Sequence, residues 1–252
     1  CIRHRSIRTD YSGWWYAVES SDLDGDGDQD LILGNRGENF YFTATKQKPV
    51  KLWVSDFDNN GYIEKIITRK IDDRDVTMAL KKELTEQVSN LYNQNLTHAE
   101  FAEKSMQELF TKELLDNTYK REVTWFKSIV AINMGDGKFD IKVLPQQVQF
   151  SSVNAILCID INRDENDDLL LGGNDSGFMP QYSKLDASFG HILINNGAGE
   201  FVKVGNKKSG FFIEGNIRDF ISLGDFEKNR FLVLLNNEKP KMYELSINDE
   251  IK

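Results

Sequence analysis

Short apolar runs, each bounded by turn-forming residues, recur along this chain. The runs 31–33, 66–67 and 169–171 each follow a stretch rich in Asp and Asn. Strand-like segments also precede the second and third stretches. Before the second, Val50, Leu52 and Val54 alternate with Lys51 and Trp53, and before the third, residues 153–159 are nearly all apolar. Runs of this length between turn residues are typical of buried β-strands. The pattern therefore predicts pairs of strands, each pair joined by a polar loop.

Residues 77–122 depart from this pattern and predict a helical insertion between two strands. The apolar residues at helical spacing are Leu80, Leu84, Val88 and Leu91, followed by Ala102, Met106, Leu109 and Phe110. Between the two groups, Thr97 and Glu100 have the spacing of a capping box, which marks a helix start. An amphipathic helix must bury its apolar stripe, so the insertion either packs on the neighbouring strands or docks a partner protein.

The chain returns to a strand pattern after residue 122, with hairpin turns of the Asn-Gly and Gly-x-Gly kinds. The sequence therefore predicts an all-β fold with an α-helical insertion, in three parts. Residues 1–76 hold strands with two acidic loops, residues 77–122 hold the helices, and residues 123–252 hold strands with one acidic loop and one degenerate loop.

The first acidic loop, residues 22–30, has carboxylates at positions 1, 3, 5 and 9 and a glycine at position 6. Ca²⁺ accepts six to eight oxygen ligands, and the glycine permits the sharp turn that wraps the chain around an ion. The predicted ligands are the side chains of Asp22, Asp24, Asp26 and Asp30 and the backbone carbonyl of Asp28. The alternative interpretation is a solvated acidic turn without an ion.

Two further loops repeat the spacing, and a fourth keeps only its start. The predicted ligands of the second loop are Asp56, Asp58, Asn60, Tyr62 and Glu64, and those of the third are Asp160, Asn162, Asp164, Asn166 and Asp168. In the third loop Glu165 replaces the glycine, which makes a site there less favourable. The fourth stretch begins at Asp225 and has Val233 at position 9, so we expect a turn without a metal ion.

The EF-hand is excluded for these loops because it needs a bidentate Glu at position 12 and a helix on each side. Position 12 is Leu33, Ile67 or Leu171, and the flanking segments are strand-like.

The repeated order of strand, Asp-rich loop, apolar strand and Gly-Asn resembles the FG-GAP/VCBS repeats of integrin-α-like β-propellers. The pairs at 34–35 and 173–174, and the Asn-x-Gly-x-Gly-x-Phe hairpins at 133–139 and 195–201, carry this resemblance. Segments 13–15, 144–145 and 182–187 are similar to a bacterial, Bacteroidota-type subgroup with a helical insertion. The resemblance implies propeller blades with structural Ca²⁺, on secreted or cell-surface proteins. Four loops indicate about four blades. These blades form either a small closed ring or the C-terminal part of a larger propeller, and the second interpretation is favoured.

Net charge and hydrophobic content limit the classes of partner and the locations expected for this chain. The formal net charge of −9 disfavours nucleic acid, and three Ca²⁺ ions would cancel about six of these charges. No apolar run approaches the roughly 20 residues of a membrane span. No secretory signal is visible, although a signal would be absent from a mature form. The expected location is extracytoplasmic, secreted or at the cell surface, including an outer-membrane complex.

The two cysteines are Cys1 and Cys158. Cys158 is predicted to be a small buried residue of a strand, and a disulfide with Cys1 is a weaker alternative. Cys1 is either the acylated first residue of a bacterial lipoprotein or simply where the chain begins. The second interpretation is favoured because a small polar linker usually follows a lipidated cysteine.

No catalytic constellation is recognisable in the sequence. His4, His98 and His191 have neither metal nor triad spacing, and the Asp175-Ser176 pair is interpreted as part of an Asx turn. The leading hypothesis is a non-enzymatic, Ca²⁺-stabilised β-propeller that binds or scaffolds a protein or glycan. The alternative is a carbohydrate-active enzyme, a lyase or glycosidase, of the same fold.

Overall fold

The computed structural model describes residues 11–94, 97–224 and 230–245. The chain divides into two compact units, one formed by Cys1–Tyr41 with Phe126–Lys252 and the other by Phe42–Trp125. Most of the regular structure is β, arranged in antiparallel sheets of three or four strands. The predicted all-β class with blade-like sheets is confirmed. The predicted boundaries after residues 76 and 122 both fall inside the second unit.

Within the described residues, the strands are β1 (Ala17–Ser21), β2 (Asp30–Gly34), β3 (Val50–Ser55), β4 (Glu64–Ile71), β5 (Arg74–Thr77), β6 (Tyr119–Val123), β7 (Ile129–Asn133), β8 (Phe139–Val143), β9 (Val153–Ile159), β10 (Asp168–Gly173), β11 (His191–Asn195), β12 (Phe201–Val204), β13 (Ile217–Ser222), β14 (Arg230–Leu235) and β15 (Lys241–Glu244). The α-helices are α1 (Lys81–Gln87), α2 (His98–Ala102), α3 (Met106–Leu109), α4 (Lys112–Asn117) and α5 (Asn206–Ser209), with 3-10 helices at Ser89–Asn93, Gln146–Phe150 and Pro180–Tyr182. No helix in this part of the chain is long and apolar enough to cross a bilayer.

The first sheet is assembled from two distant parts of the chain. Its strand order is β1-β2-β7-β8, and the whole second unit lies in the sequence between β2 and β7. Ile32 at the centre of β2 pairs with Glu19 of β1 and with Val130 of β7. The side chain of Ile32 is fully buried, which is the environment that its apolar run predicts.

The first unit contains two further sheets. One is the meander β9-β10-β11-β12, and the other has the order β13-β14-β15. Strand β10 is buried along its whole length, as expected for a strand with apolar residues on both faces. Its Leu169 and Leu171 share a core with Leu23 and Ile32, while Leu170 packs in a second core with Phe231.

The Gly-Asn pairs that end β2 and β10 have a packing role. A Cβ atom on Gly34 or Gly173 would overlap backbone carbonyl oxygens at the start of β9, so a side chain there would force the strands apart. The Asn174 amide nitrogen donates to the carbonyl oxygens of Ser188 and Gly215, at 2.7 and 2.9 Å. The glycine thus allows close approach of the backbone, and the asparagine ties neighbouring segments together.

The second unit is a four-stranded sheet covered by helices. Its strand order is β5-β4-β3-β6, and α1 to α4 lie in the chain between β5 and β6. The predicted capping box is confirmed, because Thr97 Oγ1 accepts the Glu100 N–H at 3.2 Å and the Glu100 carboxylate accepts the Thr97 N–H at 2.9 Å.

The apolar stripe of the helices packs on the sheet of their own unit. The shared core contains Trp53, Phe57 and Ile66 from the sheet side and Leu84, Val88, Leu91, Phe101, Met106, Leu109, Phe110 and Leu115 from the helical segment. The prediction was wrong for Leu80 and Ala102, which are exposed. Leu80 is the N-cap of α1 and Ala102 is the last residue of the short α2, so helical periodicity does not extend through either position.

His191 in β11 is buried without a carboxylate partner among the described residues, and Ser188 Oγ lies 3.3 Å from its Nε2. Burial, and secondarily the positive charge of Lys203, lowers the pKa of His191 to about 4. The unfolded chain takes up a proton near the ordinary histidine pKa of about 6.5. The contribution of neutral His191 to the free energy of unfolding is therefore fully present above pH 6.5. This contribution is lost as the pH falls toward 4, where the folded state also binds the proton.

We expect the free energy of unfolding to fall by about 2 kcal/mol between pH 7.5 and pH 5 on account of His191 alone. His191→Gln cannot take up this proton, so the variant should have a flatter pH dependence. Urea unfolding of both proteins in excess chelator, at five pH values, measures the difference. Parallel pH profiles for wild type and variant would contradict the prediction.

Candidate metal centres

Each predicted calcium loop joins two neighbouring antiparallel strands. Loop 1 (residues 22–30) joins β1 to β2, loop 2 (56–64) joins β3 to β4, and loop 3 (160–168) joins β9 to β10. In all three, one oxygen of the first Asp accepts the backbone N–H of the sixth residue. The N···O distances are 3.0 Å from Gly27 to Asp22, 2.8 Å from Gly61 to Asp56 and 3.0 Å from Glu165 to Asp160. The three loops thus share one hydrogen-bonded turn.

Two positions in each loop adopt the left-handed backbone conformation. The sixth residue has φ of 91° at Gly27, 88° at Gly61 and 70° at Glu165, and the fourth has φ of 76° at Gly25, 59° at Asn59 and 63° at Arg163. Glycine adopts this conformation freely, asparagine tolerates it, and residues such as Arg and Glu are strained in it. Loop 3 therefore carries two strained residues, and its predicted disadvantage relative to loop 1 has a backbone cause.

The ninth residue of each loop is buried and closes the loop onto its second residue. The Asp30 carboxylate accepts the Leu23 N–H at 2.8 Å, Glu64 accepts the Phe57 N–H at 2.8 Å, and Asp168 accepts the Ile161 N–H at 2.9 Å. The ninth carboxylate is thus a structural acceptor as well as a predicted metal ligand. Sequence reasoning identified only the second of these roles.

Asn133 and Asn195 brace two of the ninth carboxylates, and the sequence did not single them out as site residues. The Asn133 N–H donates to Asp30 at 2.7 Å, and the Asn195 N–H donates to Asp168 at 2.8 Å. The Asn195 amide also donates to the Leu23 carbonyl of loop 1 at 2.8 Å. Both asparagines begin the Asn-x-Gly-x-Gly hairpins, so this motif was the available signal.

The first two loops each bring three carboxylates together. Oxygens of Asp22, Asp24 and Asp30 lie within 4.8 Å of one another, as do oxygens of Asp56, Asp58 and Glu64. Among the described residues, loop 3 forms no such group of three acidic side chains. It has Asn162 at position 3, whose amide donates to Asp164 at 2.9 Å.

The remaining predicted ligands take part in the turns. Asp26 Oδ1 accepts the Asp28 N–H, and Asn60 Oδ1 accepts the Tyr62 N–H, both at 2.8 Å. The Asn166 N–H donates to Asp164 Oδ1 at 2.9 Å. These contacts fix the fifth side chain near the seventh backbone unit in every loop. The assignment of all fifteen residues as metal ligands stays a prediction.

Asp58 links loop 2 to the helical segment of the same unit. Its Oδ2 accepts the Ser89 N–H at 3.1 Å and lies 3.0 Å from the Ser89 hydroxyl, at the start of the 3-10 helix. Its Oδ1 is buried and has no hydrogen-bond partner among the described residues. A buried carboxylate oxygen without a partner is costly, and a cation bound in the loop would remove that cost.

The donor set fits Ca²⁺. Every predicted ligand offers oxygen, which suits a hard cation, and no sulfur or imidazole ligand belongs to these loops. Burial raises the pKa of Asp168 to about 6, against the opposing effect of the Asn195 and Ile161 N–H groups. Burial likewise raises the pKa of Asp30. Holding these charges at neutral pH therefore costs folding free energy, which a bound divalent cation would offset.

Some of the sequence predictions concern residues outside the described part of the chain, among them Cys1, His4 and residues 225–229 of the degenerate loop predicted at 225–233. The last four positions of that predicted loop lie in β14, where Val233 is buried. Cys158 is a partly buried free thiol of β9, and burial raises its pKa to about 12. Such a thiol is a poor nucleophile and metal ligand at neutral pH.

A search of curated proteins found no match to the chain. A comparison with family models matched residues 14–54 to the model described as FG-GAP repeat. The matched segment contains β1, loop 1 and β2, and it ends within β3, which belongs to a different sheet of the structure. The match supports the resemblance to FG-GAP repeats for residues 14–54, and the Bacteroidota-type subgroup stays a prediction.

Proposed function

We propose that this chain is a non-enzymatic β-propeller module, stabilised by up to three Ca²⁺ ions, that binds or scaffolds a protein or glycan outside the cytoplasm. The observation that carries the proposal is the recurrence of one loop geometry between paired antiparallel strands in three sheets, with carboxylate oxygens within 4.8 Å in two of the loops. The FG-GAP match to residues 14–54 supports a propeller-type binding module.

The chain's own residues would hold the ion through the first, third, fifth and ninth side chains and the seventh carbonyl of each loop. Bound Ca²⁺ supplies positive charge and links the two ends of a strand connection. Extracellular calcium modules bind with dissociation constants of about 10⁻⁴–10⁻³ M. Loops of that affinity would be filled at extracellular calcium concentrations, which agrees with the proposed location at the cell surface or in a secreted complex.

We expect calorimetric titration of chelator-treated protein with CaCl₂ to give saturable binding, tighter than with MgCl₂, because Mg²⁺ requires a stricter octahedron. Asp24→Ala should remove or weaken one site. Asp140→Ala, which removes a carboxylate of β8 outside the loops, is the matched control and should bind like wild type. Equal heats for both metals, or equal titrations for both variants, would refute the calcium assignment.

A further inference from the structure

Arg36 is a buried cation enclosed by aromatic rings. Its side chain is 1% exposed. The guanidinium carbon lies 4.0 Å from the ring centroid of Trp14, 4.2 Å from that of Phe40 and 4.4 Å from that of Phe178. Cation–π attraction strengthens when the cation is removed from water, so these three contacts hold the rings against the guanidinium group.

The aromatic enclosure joins two loops of the first unit. Phe40 belongs to the segment that follows β2, Phe178 belongs to the segment that follows β10, and their ring centroids are 4.6 Å apart. Since both rings contact the same buried guanidinium, Arg36 fixes the two segments in one arrangement. These segments lie at the ends of β2 and β10 opposite loops 1 and 3.

The same two segments line an open pocket of about 260 Å³. Tyr41 and Tyr182 form its aromatic walls, with ring centroids 5.7 Å apart and ring planes inclined by 39°. Tyr41 is 46% exposed, so a large part of this side chain is accessible to a ligand. The pocket is smaller than the 300–1,000 Å³ typical of sites for drug-sized ligands. Its volume is therefore suited to a single small ring.

The polar lining defines the chemistry of the occupant. Asn39 and Gln181 offer amide donors and acceptors, Glu38 offers acceptors and Lys184 offers donors. Among the described residues, the lining holds one cation, Lys184, and one carboxylate, Glu38, which also lies 3.7 Å from the Lys127 amine. A site for a phosphate or a polyanion needs several clustered cations, so this lining favours an uncharged ligand. Tyrosine faces beside amides suit a ligand that has apolar C–H faces and hydroxyl edges. A neutral sugar ring has both features.

We propose that this pocket is a subsite for one ring of a neutral glycan, which stacks on the exposed ring of Tyr41 beside Tyr182. The inference rests on the proposed binding function and specifies its ligand class. It does not depend on the number of filled calcium loops, because the pocket residues lie outside them.

The test is affinity gel electrophoresis of the whole chain in CaCl₂, through gels that contain neutral polysaccharides: glucans, mannans, galactans and xylans. Titration with the matching oligosaccharides then gives dissociation constants. We expect at least one neutral polysaccharide to retard the wild type. Tyr41→Ala and Tyr182→Ala should each weaken binding at least tenfold, while Tyr41→Phe, which keeps the ring, should stay within about threefold.

Tyr119→Ala is the matched control, because it removes an exposed tyrosine of the second unit. Its affinity should equal that of wild type, and circular dichroism should show all four variants folded. Retardation by none of the neutral polysaccharides, or binding that both alanine variants retain, overturns the subsite. Retardation by alginate or another polyanion alone also overturns it. Failure of the calcium titration would instead refute the proposed calcium stabilisation, and the glycan-binding measurements could still be interpreted on their own.

Discussion

Removal of Ca²⁺ is expected to lower the free energy of unfolding by about 2.7 kcal/mol for each loop previously held at a hundred times its dissociation constant. Folding forces the carboxylates of Asp22, Asp24 and Asp30 to within 4.8 Å of one another, where like charges repel by about 1 kcal/mol per pair even in water. The unfolded chain relaxes this crowding and hardly binds the ion. Chelation should therefore lower the melting temperature by roughly 5–10 °C per site.

Two alanine variants distinguish the loops. Asp24→Ala removes a ligand from the loop with the most carboxylates at predicted ligand positions and should shrink the chelator effect clearly. Asp164→Ala should shrink it less, because Arg163 and Glu165 are strained in loop 3 and Asn162 brings no charge. Thermal melts of wild type and both variants, with and without chelator, measure the three differences. If chelator leaves every melting temperature unchanged, the loops are not calcium sites.

Local pattern was sufficient for the elements that neighbouring residues determine. The apolar runs at 31–33 and 169–171 form β2 and β10, and the Thr97 capping box starts α2. Glycine at position 6 of loops 1 and 2 has positive φ, as the sharp turn requires. Each of these features depends on residues within one turn or strand, where spacing alone carries the information.

Long-range pairing was beyond the sequence pattern. On the side away from β1, β2 pairs with β7, about a hundred residues further on, whereas the next strand in the chain, β3, belongs to another sheet. Any of several apolar strands would satisfy β2 by hydrophobicity, so local pattern cannot choose between them. Because β2 pairs with β7, the inserted segment in the chain is the whole second unit rather than the helices alone.

The sequence also did not predict which polar residues are buried or strained. Arg36 has the side chain of a surface residue, yet it is buried among the rings of Trp14, Phe40 and Phe178, two of which are distant in sequence. The fourth loop position gave no signal either, because Asn59 and Arg163 do not share the glycine found at Gly25. Tertiary contacts override the ordinary preference of Arg36, whereas hydrogen bonding within the turn does so for Arg163, whose N–H donates to Asp160 at 2.7 Å.

The ninth carboxylate of loop 1 should stabilise the fold even without a metal ion. Asp30 is fully buried and accepts the backbone N–H groups of Leu23 at 2.8 Å and of Asn133 at 2.7 Å. Asp24 is less buried, and its carboxylate accepts the Asp26 N–H of the same loop at 3.4 Å. The two residues are both predicted ligands, but only Asp30 also connects the loop to β7.

We therefore expect Asp30→Ala to lower the free energy of unfolding by about 3 kcal/mol in excess chelator. It leaves one buried and one partly buried N–H donor without an acceptor, and such a donor costs about 1–3 kcal/mol when fully buried. The loss is below the full sum because the variant also removes a buried charge whose pKa burial has raised. Asp24→Ala should change the metal-free stability by less than about 0.5 kcal/mol. Asp30→Asn, which keeps one acceptor oxygen, should lie between them. Urea unfolding of the three variants in chelator measures this order, and equal metal-free stabilities for Asp30→Ala and Asp24→Ala would show that the ninth residue acts only through the ion.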